Sequence, residues 1–239
     1  MFKDWTLFEK LWIVIAVATI TTLGFLWDDT LIGFISSIAG ILCVIMAAKG
    51  KIATFYFGAI QASTYAYIAY TYQLYGEAML NAFFFLPFQV IGWVVWFKNR
   101  KNKTEATRGE EVYAKRLTLK QWAILTPIII VVVVGYAFLL ESIGAQQVRI
   151  DSVAVVLSVF AQILMTLRFA EQWLLWIVIN VLTITMWLLV LVQSGGNDWT
   201  VFAMWCAFLA NSIYGWLNWR KLAKNQTQEK PNVLEEVKG

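Results

Sequence analysis

Gly92-Trp93-Val94-Val95-Trp96-Phe97-Lys98 and Gly215-Trp216-Leu217-Asn218-Trp219-Arg220-Lys221 each close a long apolar run with a glycine, two tryptophans and a basic exit. The two strings stand 123 positions apart (215 − 92). Upstream, Lys49, Gln61-Ala62-Ser63-Thr64 and Tyr75-Gly76 align with Arg168, Asn180-Val181-Leu182-Thr183 and Ser194-Gly195 at a spacing of 119 (168 − 49). About four extra residues near Asn197 account for the difference. A duplicated apolar half predicts a membrane protein with a ligand site between its halves.

Composition agrees. Sixty percent of the 239 residues are hydrophobic and 14% are charged, mean hydropathy is +0.65, and the charges cluster between apolar blocks. That pattern excludes a soluble domain. The net charge of +4 comes from the Lys98–Lys120 stretch and the tail after Arg220, where topology signals belong, so no nucleic-acid partner is expected. Histidine is absent and the two cysteines, Cys43 and Cys206, lie apart inside apolar runs. No metal site, redox pair or histidine-based hydrolase is therefore expected, and no cofactor is called for. The Met1-Phe2-Lys3-Asp4-Trp5 start lacks the pattern of a cleaved signal peptide.

Apolar runs of span length predict an all-α integral membrane protein with about eight transmembrane helices: Leu11 to Leu26, Leu31 to Ala48, Ile52 to Tyr72, Ala78 to Phe97, Gln121 to Leu140, Ser152 to Leu167, Trp173 to Val192 and Trp199 to Trp219. Phe2, Trp5, Phe8 and Trp12 recur at helical spacing beside Lys3, Asp4, Glu9 and Lys10, which reads as an interfacial helix or an extension of the first span. Strongly basic loops fall on one side, so both termini, Lys49, residues 98–120 and Arg168 are expected in the cytoplasm. The Asn225-Gln226-Thr227 sequon then lies on the wrong side for glycosylation.

The expected organisation is an N-terminal interfacial and extra helix at 1–30, a three-helix repeat at 31–97, and a basic loop with a linker helix at 98–140. A second three-helix repeat at 141–219 and a cytoplasmic tail at 220–239 follow. Three spans plus one linker make the two repeats parallel, a 3+1+3 plan with alternating access about a site between them.

Polar residues at mid-depth cost free energy unless they meet a partner, water or ligand. At 100° per residue, Trp173, Trp176, Asn180, Thr183 and Trp187 share an arc of roughly 80°. Asn81, Phe85, Gln89, Trp93 and Trp96 share one of roughly 120°. Gln61, Thr64, Tyr65 and Tyr72 add to the third span, Ser158, Gln162, Met165 and Thr166 to the sixth, and Asn211, Tyr214 and Asn218 to the eighth. The expected lining is Gln61, Thr64, Gln89, Trp93, Gln162, Trp173, Trp176, Asn180, Trp187, Asn211 and Tyr214. Trp96 and Trp219, beside Lys98 and Arg220, are expected to anchor helix ends at the headgroups. Gly40, Gly58, Gly92 and Gly215 are expected to allow close packing, and Pro87 to kink its span. Arg168 and Glu171 are expected as a cytoplasmic gate, the alternative being a solvated loop pair.

The strings Lys51-Ile52, Tyr56-Phe57-Gly58, Gln73-Leu74-Tyr75, Phe83-Phe84-Phe85 with Gly92-Trp93, Met165-Thr166, Glu171-Gln172-Trp173-Leu174-Leu175-Trp176 and Ile179-Asn180-Val181 resemble the PnuC family of bacterial nicotinamide riboside transporters. The resemblance implies a multi-pass inner-membrane carrier of SWEET-like fold that takes up this vitamin B3 compound, a precursor of NAD, by facilitated diffusion. It further implies a homotrimer and a cytoplasmic nicotinamide riboside kinase that traps the product. It points to Gln89, Trp93, Trp176, Asn180 and Asn211 as lining residues. Gln89 and Gln172 stand where Asn is expected in some relatives. Nicotinamide riboside carries a pyridinium charge, a carboxamide and a ribose, which suit aromatic faces and amide side chains.

Thiamine and riboflavin are the rival substrates, being a cationic aromatic and a flat ring system. An intramembrane enzyme lacks a catalytic pair here, since no span offers two mid-depth acids or a serine with histidine. A membrane scaffold would also carry polar glue, but would not need a duplicated half with Trp and amide stripes.

Overall fold

The computed structural model describes residues 5–26, 30–71, 78–100, 110–142, 148–194 and 199–236. Among these, eight helices follow one another: α1 (Leu7–Leu26), α2 (Leu31–Lys49), α3 (Thr54–Thr71), α4 (Leu80–Lys98), α5 (Leu119–Ser142), α6 (Val148–Thr166), α7 (Gln172–Ser194) and α8 (Trp199–Glu236). Only two isolated backbone bridges represent extended structure among the described residues. Four helical stretches, Glu9–Leu26, Leu31–Lys49, Leu80–Lys98 and Leu119–Ser142, are long and apolar enough to cross a membrane unaided. The chain forms two compact units, Met1–Tyr113 and Ala114–Gly239.

In the first unit α2 packs on α1 and α3, and α3 on α4. Thr6 and Glu9 start α1 with a reciprocal cap: the Glu9 N–H donates to Thr6 Oγ1 (3.2 Å) and the Thr6 N–H to Glu9 Oε2 (2.6 Å), satisfying two donors that a helix start leaves open. The same carboxylate accepts twice from Lys49 Nζ, at 2.8 Å each. Lys49 also lies 5.9 Å from the centre of the Trp5 ring. Glu9, expected on an interfacial helix, and Lys49, expected on the cytoplasmic side, are both 3% exposed. Pairing makes that burial tolerable, because neither charge is left without a partner. The α1 helix runs on without a break, so the amphipathic start extends the first span; Phe2, Lys3, Asp4 and the Phe8 side chain lie outside the described residues.

Just before Pro87, where a kink is expected, the fourth span changes its helical form. Residues Leu80–Phe85 form a π-helical turn in which the Leu86 N–H reaches Asn81 O, and α-helical geometry resumes with Pro87 in its first turn. Widening the turn accommodates a residue that has no N–H to give.

In the second unit α6 packs on α5 and α7, and α7 on α8. Ile129 of α5, Leu157, Ala161 and Leu164 of α6, and Leu175 and Ile179 of α7 form its buried cluster. Thr118 and Gln121 cap α5 as Thr6 and Glu9 cap α1. The eighth span does not end at Trp219. Its helix continues to Glu236, because Leu222, Ala223 and Gln226 remain buried on one face and Gln226 Oε1 accepts from the Ala114 N–H at 2.9 Å.

Backbone geometry corrects the register of the duplication. Gly50 follows α2 in the left-handed region (φ 70°) and Arg168 follows α6 in the same region (φ 69°). Gly50 N–H reaches Ala47 O and Lys51 N–H reaches Met46 O; Arg168 N–H reaches Met165 O and Phe169 N–H reaches Leu164 O. The carbonyls of Gly50 and Arg168 each accept from an extended strap, from the N–H of Glu111 (2.9 Å) and of Lys115 (2.8 Å) respectively. These equivalences give a spacing of 118 (168 − 50), one less than the match of Lys49 to Arg168 suggested. What recurs is a helix-ending conformation, not a charge at one position.

Phe55 and Trp173 follow the same register (173 − 55), while their partners on the next helix keep the spacing of 123 (215 − 92). Gly92 lies under the Phe55 ring and Gly215 under the Trp173 ring, where an added Cβ would stand 2.6 Å from ring carbons. Phe55 meets Trp96 edge-on at 4.9 Å and Trp173 meets Trp219 at 6.5 Å. Trp96 and Trp219 are fully buried, which corrects their expected role as headgroup anchors. Glycine removes the side chain that would hold the two helices apart, so both tryptophans turn inward.

Candidate functional site

Asp, Glu, Lys and Arg stand at the ends of the described helices, save in α8, where Arg220, Lys221 and Lys224 follow the apolar part. The polar groups left at depth are amides, hydroxyls and indoles. Such groups buried without partners each cost on the order of 1–3 kcal/mol, so those that persist call for a partner from outside the chain, a water or a ligand.

In the first unit Gln89 of α4 is buried and its Oε1 has no protein partner. The carboxamide lies directly against Gly58 of α3, in the space that a Cβ there would need. One turn further, Trp93 stacks on Phe97 at 5.4 Å and meets Tyr56 edge-on at 6.4 Å, and its Nε1 also lacks a partner. Asn81 is buried inside the π-helical turn. Gln61 is half-buried, its Cγ 3.4 Å from where a Cβ on Gly40 would stand. Thr64 donates to Ile60 O (2.8 Å) and Gln61 O (3.1 Å) of its own helix. The structure therefore keeps Gln89 and Trp93 as open groups and gives Thr64 a bond within its own helix.

In the second unit Asn180 Nδ2 donates to Ser212 Oγ at 2.9 Å, with Asn211 buried next to Ser212 on α8. In the corrected register Ala62 corresponds in sequence to Asn180 (180 − 118), and at the spacing of the glycine-tryptophan strings Gln89 corresponds to Ser212 (212 − 123). Alanine offers nothing to bond, so Gln89 lacks the contact that holds its counterpart. The asymmetry of the two linings has this cause.

Around the α6–α7 junction, Gln162 Nε2, Thr166 Oγ1, Trp173 Nε1 and both amide atoms of Gln172 are buried without protein partners. Gln172 is fully buried. Reading the apolar runs placed Gln172 in a loop, and its burial arises only because α7 begins there. Trp176 is half-buried against the Leu157, Leu175 and Ile179 cluster. Thr183 bonds Ile179 O at 2.9 Å, Tyr214 is half-buried, and the Trp187 side chain lies outside the described residues.

Arg168 and Glu171 do not form a solvated pair. Glu171 is 1% exposed and accepts from Arg116 Nε at 2.7 Å and from the Leu117 N–H at 3.0 Å. It fastens the strap before α5 to the start of α7. Arg168 is buried, its Nε without a partner, and burial holds its guanidinium below the usual value.

Comparison with known proteins gives a consistent result. The sequence profile described as "Nicotinamide mononucleotide transporter" matches residues 30–221. The chain is 38% identical over 227 residues to the "Nicotinamide riboside transporter PnuC" of Neisseria mucosa, covering 95% of this chain and 86% of that protein. The protein of the same description from Haemophilus influenzae is 36% identical over 222 residues, 93% of each chain. The Escherichia coli protein is 28% identical over 213 residues, 80% of this chain and 87% of that one. Among solved structures, the "Crystal structure of the Vitamin B3 transporter PnuC" matches with a TM-score of 0.80 and 38% identity, over 92% of this chain and 94% of that one. With its apolar helices, its paired units and these matches, the chain is a multi-pass membrane protein that belongs to the nicotinamide mononucleotide transporter family, alongside the PnuC transporters.

Proposed function

We propose that this protein carries nicotinamide riboside across the bacterial inner membrane by facilitated diffusion, and that its eight helices follow the 3+1+3 plan with one extra helix in front and both termini in the cytoplasm. The observation that carries the reading is the set of buried amide and indole atoms without protein partners, Gln89 and Trp93 in one unit and Gln162, Gln172 and Trp173 in the other. A carboxamide with two donors and one acceptor satisfies such groups at both ends, and a pyridinium gains on the order of 0.5–2 kcal/mol over an indole face. The names of the relatives support the riboside.

Charge favours the riboside over its 5′-phosphate. A phosphate at depth calls for cations, because an unpaired anion in a low-dielectric site is costly. No Lys or Arg lies in the middle of a described span. A neutral lining also leaves the unloaded protein free to change conformation without carrying a counterion. Trapping then falls to a phosphorylating enzyme on the cytoplasmic side, and a homotrimer is the proposed assembly.

The test is binding and uptake with purified protein in liposomes, comparing nicotinamide riboside, its 5′-phosphate, thiamine and riboflavin. Saturable binding and uptake of the riboside alone is expected. Tight binding of thiamine or riboflavin with none of the riboside overturns the assignment.

A further inference from the structure

The strap that leads into α5 crosses an open cleft of about 510 Å³ lined by Ala114, Lys115, Arg116, Thr118, Gln121, Phe169 and Ala223. This cleft shares no lining residue with the amide stripes. Its position relative to a bilayer follows from α5 itself: Leu119, next to Thr118, is 89% exposed and begins a 24-residue apolar span. The rim therefore lies at headgroup depth.

The charges on this rim are poorly balanced. Glu171 is taken up by Arg116 and the strap backbone. Lys115, whose N–H donates to Arg168 O (2.8 Å) and whose O accepts from the Ala170 N–H (2.9 Å), has its ammonium 5.6 Å from the Phe169 ring centre. Partial burial and then the Arg168 charge hold Lys115 below its usual value. Arg168, nine-tenths buried, leaves its Nε without a partner. The Arg116 and Arg220 guanidiniums stand 5.4 and 5.5 Å from the centre of the Trp216 ring. The helix start does not supply the attraction, since Thr118 and Gln121 occupy each other.

Neighbouring cations with no second acid on this rim among the described residues call for an anion, and an aromatic wall at headgroup depth suits one that carries acyl chains. We propose that this cleft binds the phosphate of an anionic phospholipid, with Lys115 and Arg116 as its counterions and Phe169 and Ala223 against the glycerol and upper acyl chains. The inference is independent of the transported substrate.

The experiment uses the full-length protein in mixed micelles titrated with phosphatidylglycerol, phosphatidylcholine or inorganic phosphate, reading thermal midpoint and lipid retention by native mass spectrometry. Phosphatidylglycerol is expected to raise the midpoint and remain bound where phosphatidylcholine does not. Lys115→Gln is expected to weaken that retention roughly fivefold, the share of one cation at an anionic surface, whereas Lys98→Gln leaves it unchanged. Lys115 is exposed, so this variant is expected to fold. Equal effects of the two lipids, equal losses in Lys115→Gln and Lys98→Gln, or a full midpoint shift with inorganic phosphate alone would each overturn the lipid assignment.

Discussion

The carboxamide of Gln89 fills the space beside Gly58 that any larger residue would occupy, with Gln89 Cδ 2.7 Å from the position of an added Cβ. This contact joins α3 to α4 and also fixes where an open amide oxygen points.

Gly58→Ala is expected to push the Gln89 side chain away at an overpacking cost of about 1–3 kcal/mol and to abolish riboside binding. The double variant Gly58→Ala/Gln89→Ala should regain thermal stability without regaining binding. Thermal unfolding and ligand titration on the same samples check this; a double variant that binds normally would show that Gln89 is packing material only.

Gln172→Leu is expected to act in opposite directions on stability and function. Replacing a buried amide whose two polar atoms lack protein partners removes a desolvation cost of about 1–3 kcal/mol, so the unfolding midpoint rises. Riboside uptake should fall at least tenfold. Unchanged uptake would remove Gln172 from the lining.

The left-handed positions at 50 and 168 predict opposite responses. Gly50→Ala is expected to destabilise by about 1–2 kcal/mol, the cost of placing a Cβ in that conformation. Arg168→Gly is expected to relieve a similar strain and to raise the midpoint in phosphatidylcholine micelles. A lower midpoint for Arg168→Gly would mean that contacts of the guanidinium outweigh the backbone term.

The buried Glu9–Lys49 pair predicts strong coupling. Either Glu9→Gln or Lys49→Met alone is expected to cost about 3–5 kcal/mol by stranding the other group, while a double replacement by apolar residues should recover most of it. A double-mutant cycle in thermal or denaturant unfolding reads the coupling; additive losses would contradict it.

Spans without mid-depth acids or histidine predict uptake that does not respond to ion gradients. In kinase-free vesicles, collapsing the proton or sodium gradient should leave the initial rate unchanged. Loss of uptake on collapsing either gradient would contradict facilitated diffusion.

Helix number and the packing of Gly58, Gly92 and Gly215 were legible in the sequence because apolar run length and glycine in an aromatic run each have a direct physical meaning. The register was not. Lys49 and Arg168 looked like counterparts by charge, whereas Gly50 and Arg168 share the backbone conformation, and side-chain identity says little about φ. The tryptophans at 96 and 219 beside basic residues matched the pattern of a headgroup belt, yet both are buried, since that pattern does not record which way a helix faces.

The sequence by itself determined a duplicated, multi-pass membrane protein with amide and indole stripes, because hydropathy and periodicity are local properties of the chain. Only the tertiary structure decided which of those polar atoms remain open. Thr64 and Thr183 bond their own helices and Asn180 finds Ser212, while Gln89, Trp93, Gln162 and Gln172 keep polar atoms without protein partners. Whether a buried donor or acceptor is satisfied depends on neighbours distant in the chain, and the packing of helices chooses those neighbours.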